Sequence, residues 1–364
     1  MKILRVINSL HIGGAERSIV GNVPLHIKNG YATDVLLLNG EDTFFLKELK
    51  EQNVPVISLG KSNMLFNPFF ILKISRIINN YDIVHAHLFP SFYIVAFAKI
   101  FRNSKTKLVF TEHSTSNNRR GKFIFKWIER FIYNQYDKII AITPEANINL
   151  KQHLRGNENI TVIYNGVDLV KIRNEKNQNR ESFNLNVKLK DKTIITQIAS
   201  FRSQKDQDTL IRSLALLPEN FHVLFVGDGA RMSICKELTE KLGVADQVSF
   251  LGLQNNVGAI LNKSSIVVMS SNYEGFGRAA IEGMAAGKPV IASNVPGLSK
   301  IVEGAGLLFE PRDEKMLSNL ILKLSNDSNF YNQTVKKCLN RAEEFDISKM
   351  VKEYEDVYDN LFNS

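Results

Sequence analysis

Cysteine is almost missing: Cys235 and Cys338 are the only two in 364 residues. That excludes a disulfide framework and a cysteine-based zinc site. No segment approaches the roughly 18 continuous apolar residues of a membrane-spanning helix. The opening run, Met1-Lys2-Ile3-Leu4-Arg5-Val6-Ile7-Asn8, is too short for a signal peptide and has no small-residue cleavage pattern. It reads as a β-strand that starts at once. There is no complete G-x-x-x-x-G-K-[ST] phosphate loop, three-glycine dinucleotide fingerprint or G-x-S-x-G nucleophile elbow. RNP-like, helix-turn-helix and zinc-finger patterns are also absent, so nucleic acid is not an expected partner.

What is present is the composition of a folded protein, 44% hydrophobic and 23% charged. The length is about twice what one core serves, which predicts two domains. The net charge of +9 is one-sided: residues 1–180 hold 25 basic and 14 acidic residues, the remainder 21 and 23. A positive first half points to an anionic partner, a membrane surface or a polyanion. Abundant Asn, Lys and Ile from an AT-rich genome would raise the isoelectric point without any partner.

The first half alternates short apolar runs with amphipathic stretches. Strands are predicted at Ile3–Ile7, Thr33–Leu38, Val54–Ile57, Ile83–Ala86, Lys107–Thr111, Lys138–Ile142 and Thr161–Tyr164. Helical patterns between them run over Glu16–Asn29, Thr43–Glu51, Pro68–Asn80, Ser91–Phe101, Lys122–Tyr133 and Ala146–His153. These are βαβ units on a parallel sheet. The second half repeats the scheme, with strands from Thr193–Ala199 to Gly306–Phe309. The expected division is 1–170, a polar aperiodic linker over 171–190, and 191–347. A last amphipathic helix, Ser348–Leu361, belongs to a segment 348–364 that crosses back to the first domain. Two such halves would face one another across a cleft, with ligands at the carboxyl ends of both sheets.

Gly13-Gly14-Ala15-Glu16-Arg17 follows the first strand and opens a helix, where backbone N–H groups gather. Gly227-Asp228-Gly229 ends another strand and reads first as a sharp turn. The richest stretch runs from Ser270 to Ala292. A strand ending at Met269 leads into a loop with Glu274, Gly275, Phe276 and Gly277, then a helix from Arg278. That helix start favours an anion. Glu282 lies inside the helix among Ala279, Ala280, Gly283, Ala285, Ala286 and Gly287, a surface bare enough to meet the sheet or a flat ligand.

Arg202 and Lys205 follow a strand, as a diphosphate clamp would. His113 stands at another strand end. His85 and His87 share one side of a strand, with no third metal ligand expected nearby. Arg119 to Tyr133 is basic and aromatic and holds the sole Trp127. Phe66, Phe69, Phe70, Phe89, Phe92, Tyr93, Phe97 and Phe101 interleave with further cations. This composition suits an interfacial surface against anionic lipid, although part of it must be core.

Together these residues resemble the family 4 retaining glycosyltransferases of GT-B fold, over nearly the whole chain. The resemblance rests on Gly13-Gly14-Ala15-Glu16-Arg17, Asp82-Ile83-Val84-His85-Ala86-His87 and His113. It continues through Asn165-Gly166-Val167-Asp168, Lys205 and Val226-Gly227-Asp228-Gly229, and above all Glu274 to Glu282 with Gly287-Lys288-Pro289-Val290. It implies an α/β GT-B protein with two Rossmann-like domains and a nucleotide-sugar donor held mainly by the second. UDP is the expected nucleotide, with GDP open, and no tightly bound cofactor or metal is expected. By similarity, Glu282 binds the ribose, and Gly275, Phe276 and Gly277 offer backbone N–H groups to sugar and phosphate. Glu274 faces the donor sugar, Lys205 the diphosphate, and His113 the sugar hydroxyls. Gly13, Gly14 and Gly227 lie near the donor.

One departure stands out: the family usually places an arginine five residues before the lysine, where this chain has Ser200. Arg202 is the candidate substitute for that charge. The expected activity is transfer of a hexose or N-acetylhexosamine to a lipid-linked glycan. It would occur in bacterial surface-polysaccharide or glycoconjugate assembly, in the cytoplasm at the inner membrane face. Two other readings remain at this stage, a non-catalytic sugar-nucleotide-binding subunit and a GT-B sugar-nucleotide epimerase.

Overall fold

The computed structural model describes residues 1–11, 13–60, 65–113, 123–154, 159–175, 191–254 and 256–364, with the backbone alone for 123–126. These form two compact units, Met1–Gly166 with Ile347–Ser364, and Val167–Asp346.

The first unit holds strands β1 (Lys2–Ile7), β2 (Ala32–Leu37), β3 (Val56–Ser58), β4 (Ile83–His87), β5 (Lys107–Glu112), β6 (Lys138–Ala141) and β7 (Ile160–Val162). They pair in parallel in the order β3-β2-β1-β4-β5-β6-β7. Parallel neighbours need crossovers, supplied by α1 (Gly14–Lys28), α2 (Phe44–Glu51), α3 (Phe69–Ile77), α4 (Ser91–Arg102), α5 (Phe123–Tyr133) and α6 (Pro144–Leu154). Strand order reverses between β1 and β4, and ligand crevices in open α/β sheets form at such a point.

The second unit opens with α7 (Leu169–Asn174) and continues through β8 (Thr193–Ile198), α8 (Gln207–Leu214), β9 (Phe221–Val226), α9 (Met232–Lys241), β10 (Val248–Phe250) and α10 (Val257–Lys263). It is completed by β11 (Ile266–Met269), α11 (Arg278–Ala285), β12 (Val290–Ser293), α12 (Ser299–Val302), β13 (Leu307–Phe309), α13 (Glu314–Asn326) and α14 (Ser328–Glu343). Its sheet, again parallel, runs β10-β9-β8-β11-β12-β13, reversing between β8 and β11. Asn256, Asp313 and Asp327 each accept a backbone N–H and so fix where α10, α13 and α14 begin.

Helix α15 (Ile347–Phe362) belongs to the first unit. Ile347, Met350, Val351, Tyr354 and Tyr358 recur at helical spacing and cover Ile3, Ile83, Val109, Ile140 and Ile163 on one sheet face. The opposite face packs Leu4, Val6, Val84, Ala86, Leu108 and Phe110 beneath α3, α4 and α6.

The segment read as a polar linker is partly helical. Leu169 and Ile172 are buried, and the Asp168 carboxylate accepts from Lys171 N at 2.7 Å to start α7. Two buried apolar residues in six are too few to register as a period. The rest of that segment, 176–190, lies outside the described residues, as does Arg119–Lys122 of the basic aromatic stretch.

Candidate active site

In the second unit, the functional side chains hang from the carboxyl ends of β8 and β11, the two strands at its reversal point. Buried Gln197 donates to Lys205 O (3.0 Å) and to Ser270 Oγ (3.0 Å), and Ser270 Oγ donates to Asp206 O (2.7 Å). Asn272 N adds a bond to Gln204 O at 2.8 Å. The turn carrying Lys205 is therefore fastened to both strands. Its Nζ sits 2.5 Å from Glu274 Oε2, a carboxylate that Ser271 Oγ also reaches at 3.4 Å.

Gly297 braces the Glu274 loop from behind. Its φ is +88°, and a Cβ there would lie 2.3 Å from Glu274 O. The sequence reading missed this residue, although Pro296-Gly297 is a turn signal. Gly277, in the left-handed region at φ +78°, begins α11. Phe276 is buried edge-on against Phe345. Glu282 is 4% exposed, and its Oε1 accepts from Arg278 Nε at 2.9 Å. The bareness of α11 serves the sheet: a Cβ on Gly283 would come within 3.0 Å of Val267.

Gly227 and Gly229 are packed against backbone. A Cβ on Gly227 would meet Ala199 O at 2.1 Å, and Phe201 N donates to Asp228 O at 2.9 Å. This loop shapes the Ser200 turn. Ser200 is half-buried, and its carbonyl accepts from Arg202 N (2.9 Å) and Gln207 Nε2 (3.1 Å). Arg202 is exposed, on extended backbone.

The sequence also holds an Asp-x-Asp spacing at Asp206 and Asp208, the form of a metal motif. Both groups are otherwise engaged: Asp208 takes two bonds from Arg231 NH2 at 2.8 Å, and Asp206 accepts from Thr209 Oγ1 at 2.7 Å. Among the described residues no group of three or more His, Cys, Asp or Glu is placed to hold a metal.

In the first unit, Gly13 caps α1 and accepts from Arg17 N at 3.0 Å. Gly14 is exposed, and a Cβ there would meet nothing within 4 Å. The protein itself does not require glycine at that position. Asn8, not singled out from the sequence, ties the end of β1 to the loop after β4. It donates to Phe89 O at 2.7 Å and accepts from Ser91 N at 3.2 Å.

A polar vein lies under the same strand ends. Arg5, fully buried, donates to Tyr358 Oη, which lies 2.6 Å from His85 Nδ1. His85 Nε2 is 2.7 Å from Thr111 Oγ1. His85 stacks on His87 at 4.3 Å, and His87 Nδ1 lies 3.0 Å from His113 Nε2. A third imidazole therefore does stand beside the His85–His87 pair, contrary to the expectation. Parallel pairing of His87 with Thr111 brings His113 round to it. The rings bond to one another and to hydroxyls rather than converging on a common point.

Burial lowers the pKa of His85 and His87 well below 6.5, with Arg5 adding to the effect on the first and His85 on the second. Burial and Arg5 bring His113 down to about 3. Unfolded histidines take up protons near pH 6.5, whereas these folded ones do not. The stability is thus complete above that pH and falls as pH drops toward the folded pKa. The expected slope is about 1.4 kcal/mol per pH unit for each fully buried ring. Trp127 lies in the first unit, so its fluorescence during urea unfolding reports there. The midpoint should be clearly lower at pH 5.5 than at pH 7.5, and equal midpoints would contradict this account.

Two parallel α/β units, each with a glycine-led helix start and polar side chains at its strand ends, define a glycosyltransferase of GT-B fold. The chain matches the glycosyl transferases group 1 family over residues 178–341 and glycosyltransferase family 4 over residues 12–171. It belongs to this family. It is 26% identical over 287 residues to the N-acetyl-alpha-D-glucosaminyl L-malate synthase of Bacillus anthracis, covering 77% of this chain and 74% of that one. A Campylobacter jejuni relative is an N-acetylgalactosaminyltransferase acting on an N-acetylgalactosamine-N,N'-diacetylbacillosaminyl-diphospho-undecaprenol. It is 24% identical over 370 residues, covering 95% and 96%. The crystal structure of Anabaena HepE with UDP-glucose is similar at a TM-score of 0.83 and 21% identity, covering 99% of this chain and all of that one.

Proposed function

We propose that this enzyme transfers a hexose or N-acetylhexosamine, with retention, from a UDP-sugar to a lipid-linked glycan acceptor in bacterial surface-glycan assembly. The observation that carries the donor assignment is the Lys205–Glu274 pair beside the α11 helix start, with Glu282 buried one turn on. Breaking the anomeric bond puts negative charge on the departing diphosphate and positive character on the sugar. Lys205, Arg202 and the N–H groups of Gly275, Phe276 and Gly277 stabilise the leaving group. Glu274 and His113 face the sugar, and Glu282 accepts from the ribose hydroxyls. Gly13, Gly14 and Gly227 lie near the donor, the last beneath Ser200. Attack comes from the same face as departure, with the phosphate oxygen taking the acceptor proton. No protein nucleophile is assigned, and no metal is given a role. UDP is supported by the Anabaena HepE complex, and the lipid-linked acceptor by the Campylobacter relative.

Nucleotide release from a panel of UDP-, GDP- and ADP-sugars, with and without a bacterial lipid-linked glycan extract, tests this reading. Release from one UDP-sugar should rise with the extract. In Glu282→Ala, UDP binding should weaken by about thirtyfold, the loss of a charged hydrogen-bonding group to ribose. Saturable binding of a different nucleotide alone would sink the donor assignment.

The first unit supplies support for a membrane-surface partner at the inner face of the cell membrane. Some of its aromatics are core: Phe70 and Phe92 are buried. Others are not. Phe69 on α3, Phe101 on α4, and Trp127 and Phe131 on α5 are exposed by 66%, 66%, 65% and 53%. Exposed Arg76, Arg102, Lys105 and Arg130 lie among them. No described helix is long and apolar enough to cross a membrane, so contact would be peripheral. Emission of the single Trp127 should shift to the blue on vesicles containing phosphatidylglycerol but not on purely zwitterionic ones. Phe101→Ala with Phe131→Ala should weaken that binding by about tenfold or more, because each buried aromatic contributes over 1 kcal/mol. Unchanged emission on anionic vesicles would remove the membrane from the reading.

A further inference from the structure

His87, the last residue of β4, is 1% exposed. One ring face stacks on His85 at 4.3 Å, which fixes its plane. Its Nδ1 lies 3.0 Å from His113 Nε2. The other nitrogen of each ring, His87 Nε2 and His113 Nδ1, has no hydrogen-bond partner.

Both rings are neutral at working pH, since burial lowers both pKa values. A bond between two neutral imidazoles needs one nitrogen with a proton and one without. Two arrangements exist. If His113 donates from Nε2, then His87 carries its proton on Nε2, where a buried N–H stays unpaired with nothing able to reach it. If His87 donates from Nδ1, its Nε2 is a bare lone pair, and the unpaired N–H moves to His113 Nδ1. Each arrangement leaves one N–H to be satisfied, and an orphaned buried donor is costly, so the choice falls to the ring a ligand can meet. His113 is the less buried residue of the two and is the one assigned to the donor sugar, so a bound sugar can satisfy its N–H.

We propose that His87 is a positioning residue that donates Nδ1–H to His113 Nε2, holding His113 as the Nδ1–H tautomer that donates to an oxygen of the donor sugar. This rests on the reading of His113 as a contact of that sugar. It extends that reading by fixing which hydrogen bond the site offers: a donor, suited to a hydroxyl or ring oxygen that has a lone pair to give. A tautomer fixed before binding also spares the enzyme a proton rearrangement when sugar arrives.

Nitrogen NMR of protein labelled in histidine reads the tautomer without any substitution. His113 should show a protonated Nδ1 and a bare Nε2 from about pH 6 to 8; a protonated Nε2 overturns the proposal. Three variants test the consequence. Asparagine keeps an N–H donor near the Nδ1 position, aspartate offers only an acceptor, and leucine offers neither. His87→Leu and His87→Asp should lower kcat by about a hundredfold, the scale of a misplaced polar contact. UDP affinity should stay unchanged, because the nucleotide is assigned to the second unit. His87→Asn should be at least tenfold faster than His87→Leu. Equal losses in the asparagine and leucine variants, with Trp127 fluorescence showing both folded, would overturn the proposal. His113→Ala separates the two readings. A parent-like rate in His113→Ala removes the sugar contact and the proposal with it. A slow His113→Ala beside a normal His87→Leu removes the proposal alone.

Discussion

Glu274→Gln protein is expected to bind UDP about tenfold more tightly than the parent yet transfer sugar at least about a hundredfold more slowly. The two effects have opposite signs because Glu274 has two duties. Its carboxylate holds Lys205 Nζ at 2.5 Å, with the side chains only 14% and 21% exposed, so little water screens the pair. An ammonium already satisfied by a carboxylate has less to offer a diphosphate. The neutral amide releases it, and affinity for UDP rises. Transfer falls because the assigned role of Glu274 is to face the sugar as positive character develops there. Lys205→Ala should lose on both counts, with kcat/KM lower by about a thousandfold, since an unpaired Glu274 carboxylate would then repel the diphosphate. Calorimetric titration with UDP and initial transfer rates check both variants. Weaker UDP binding in Glu274→Gln would show that the carboxylate supports the nucleotide instead of competing for Lys205.

Tyr358→Phe should destabilise the first unit by about 3 kcal/mol, although it removes a single oxygen. Arg5 is wholly buried, and Nε and NH2 have no partner; its hydrogen bond goes to Tyr358 Oη. The Tyr354 ring, 5.3 Å from the guanidinium, supplies the remaining compensation. Taking the hydroxyl away leaves a buried cation with no hydrogen bond and leaves His85 Nδ1 bare. Arg5→Met should cost less than Tyr358→Phe, because it removes the charge that needed compensation. Urea unfolding followed by Trp127 fluorescence gives the order, and a larger loss in Arg5→Met would reverse the argument.

Most of the elements were legible because parallel strands buried on both faces read as short apolar runs between helical periods. The strand Ile266–Met269 and the helix starting at Arg278 needed no tertiary information. The Glu274 loop and Glu282 on α11 were visible for the same reason: one turn and one helix place them locally. What was hidden depended on pairing. The His87–His113 contact joins residues 26 apart, and only the parallel register of β4 with β5 brings them together. Arg5 is an alternating position in a strand and looks like any half-exposed cation until α15 covers it. Gly297 supports Glu274 from another loop, and no local pattern connects the two. Whether the bare helix α11 met a ligand or the sheet was undecidable until Val267 was found against Gly283.

The return of α15 to the first unit sets an order on biosynthesis. During translation the seven-stranded sheet can be made by Val162, but the helix that roofs Ile3, Ile83, Val109, Ile140 and Ile163 emerges only after all of Val167–Asp346. The tie between Arg5 and Tyr358 spans 353 positions, so it cannot close co-translationally while the second unit is still on the ribosome. An interrupted chain would carry an oily sheet face and a bare guanidinium, surfaces that chaperones and proteases read as unfinished. Helix α15 thereby serves as a check that the second unit has been made before the first is closed.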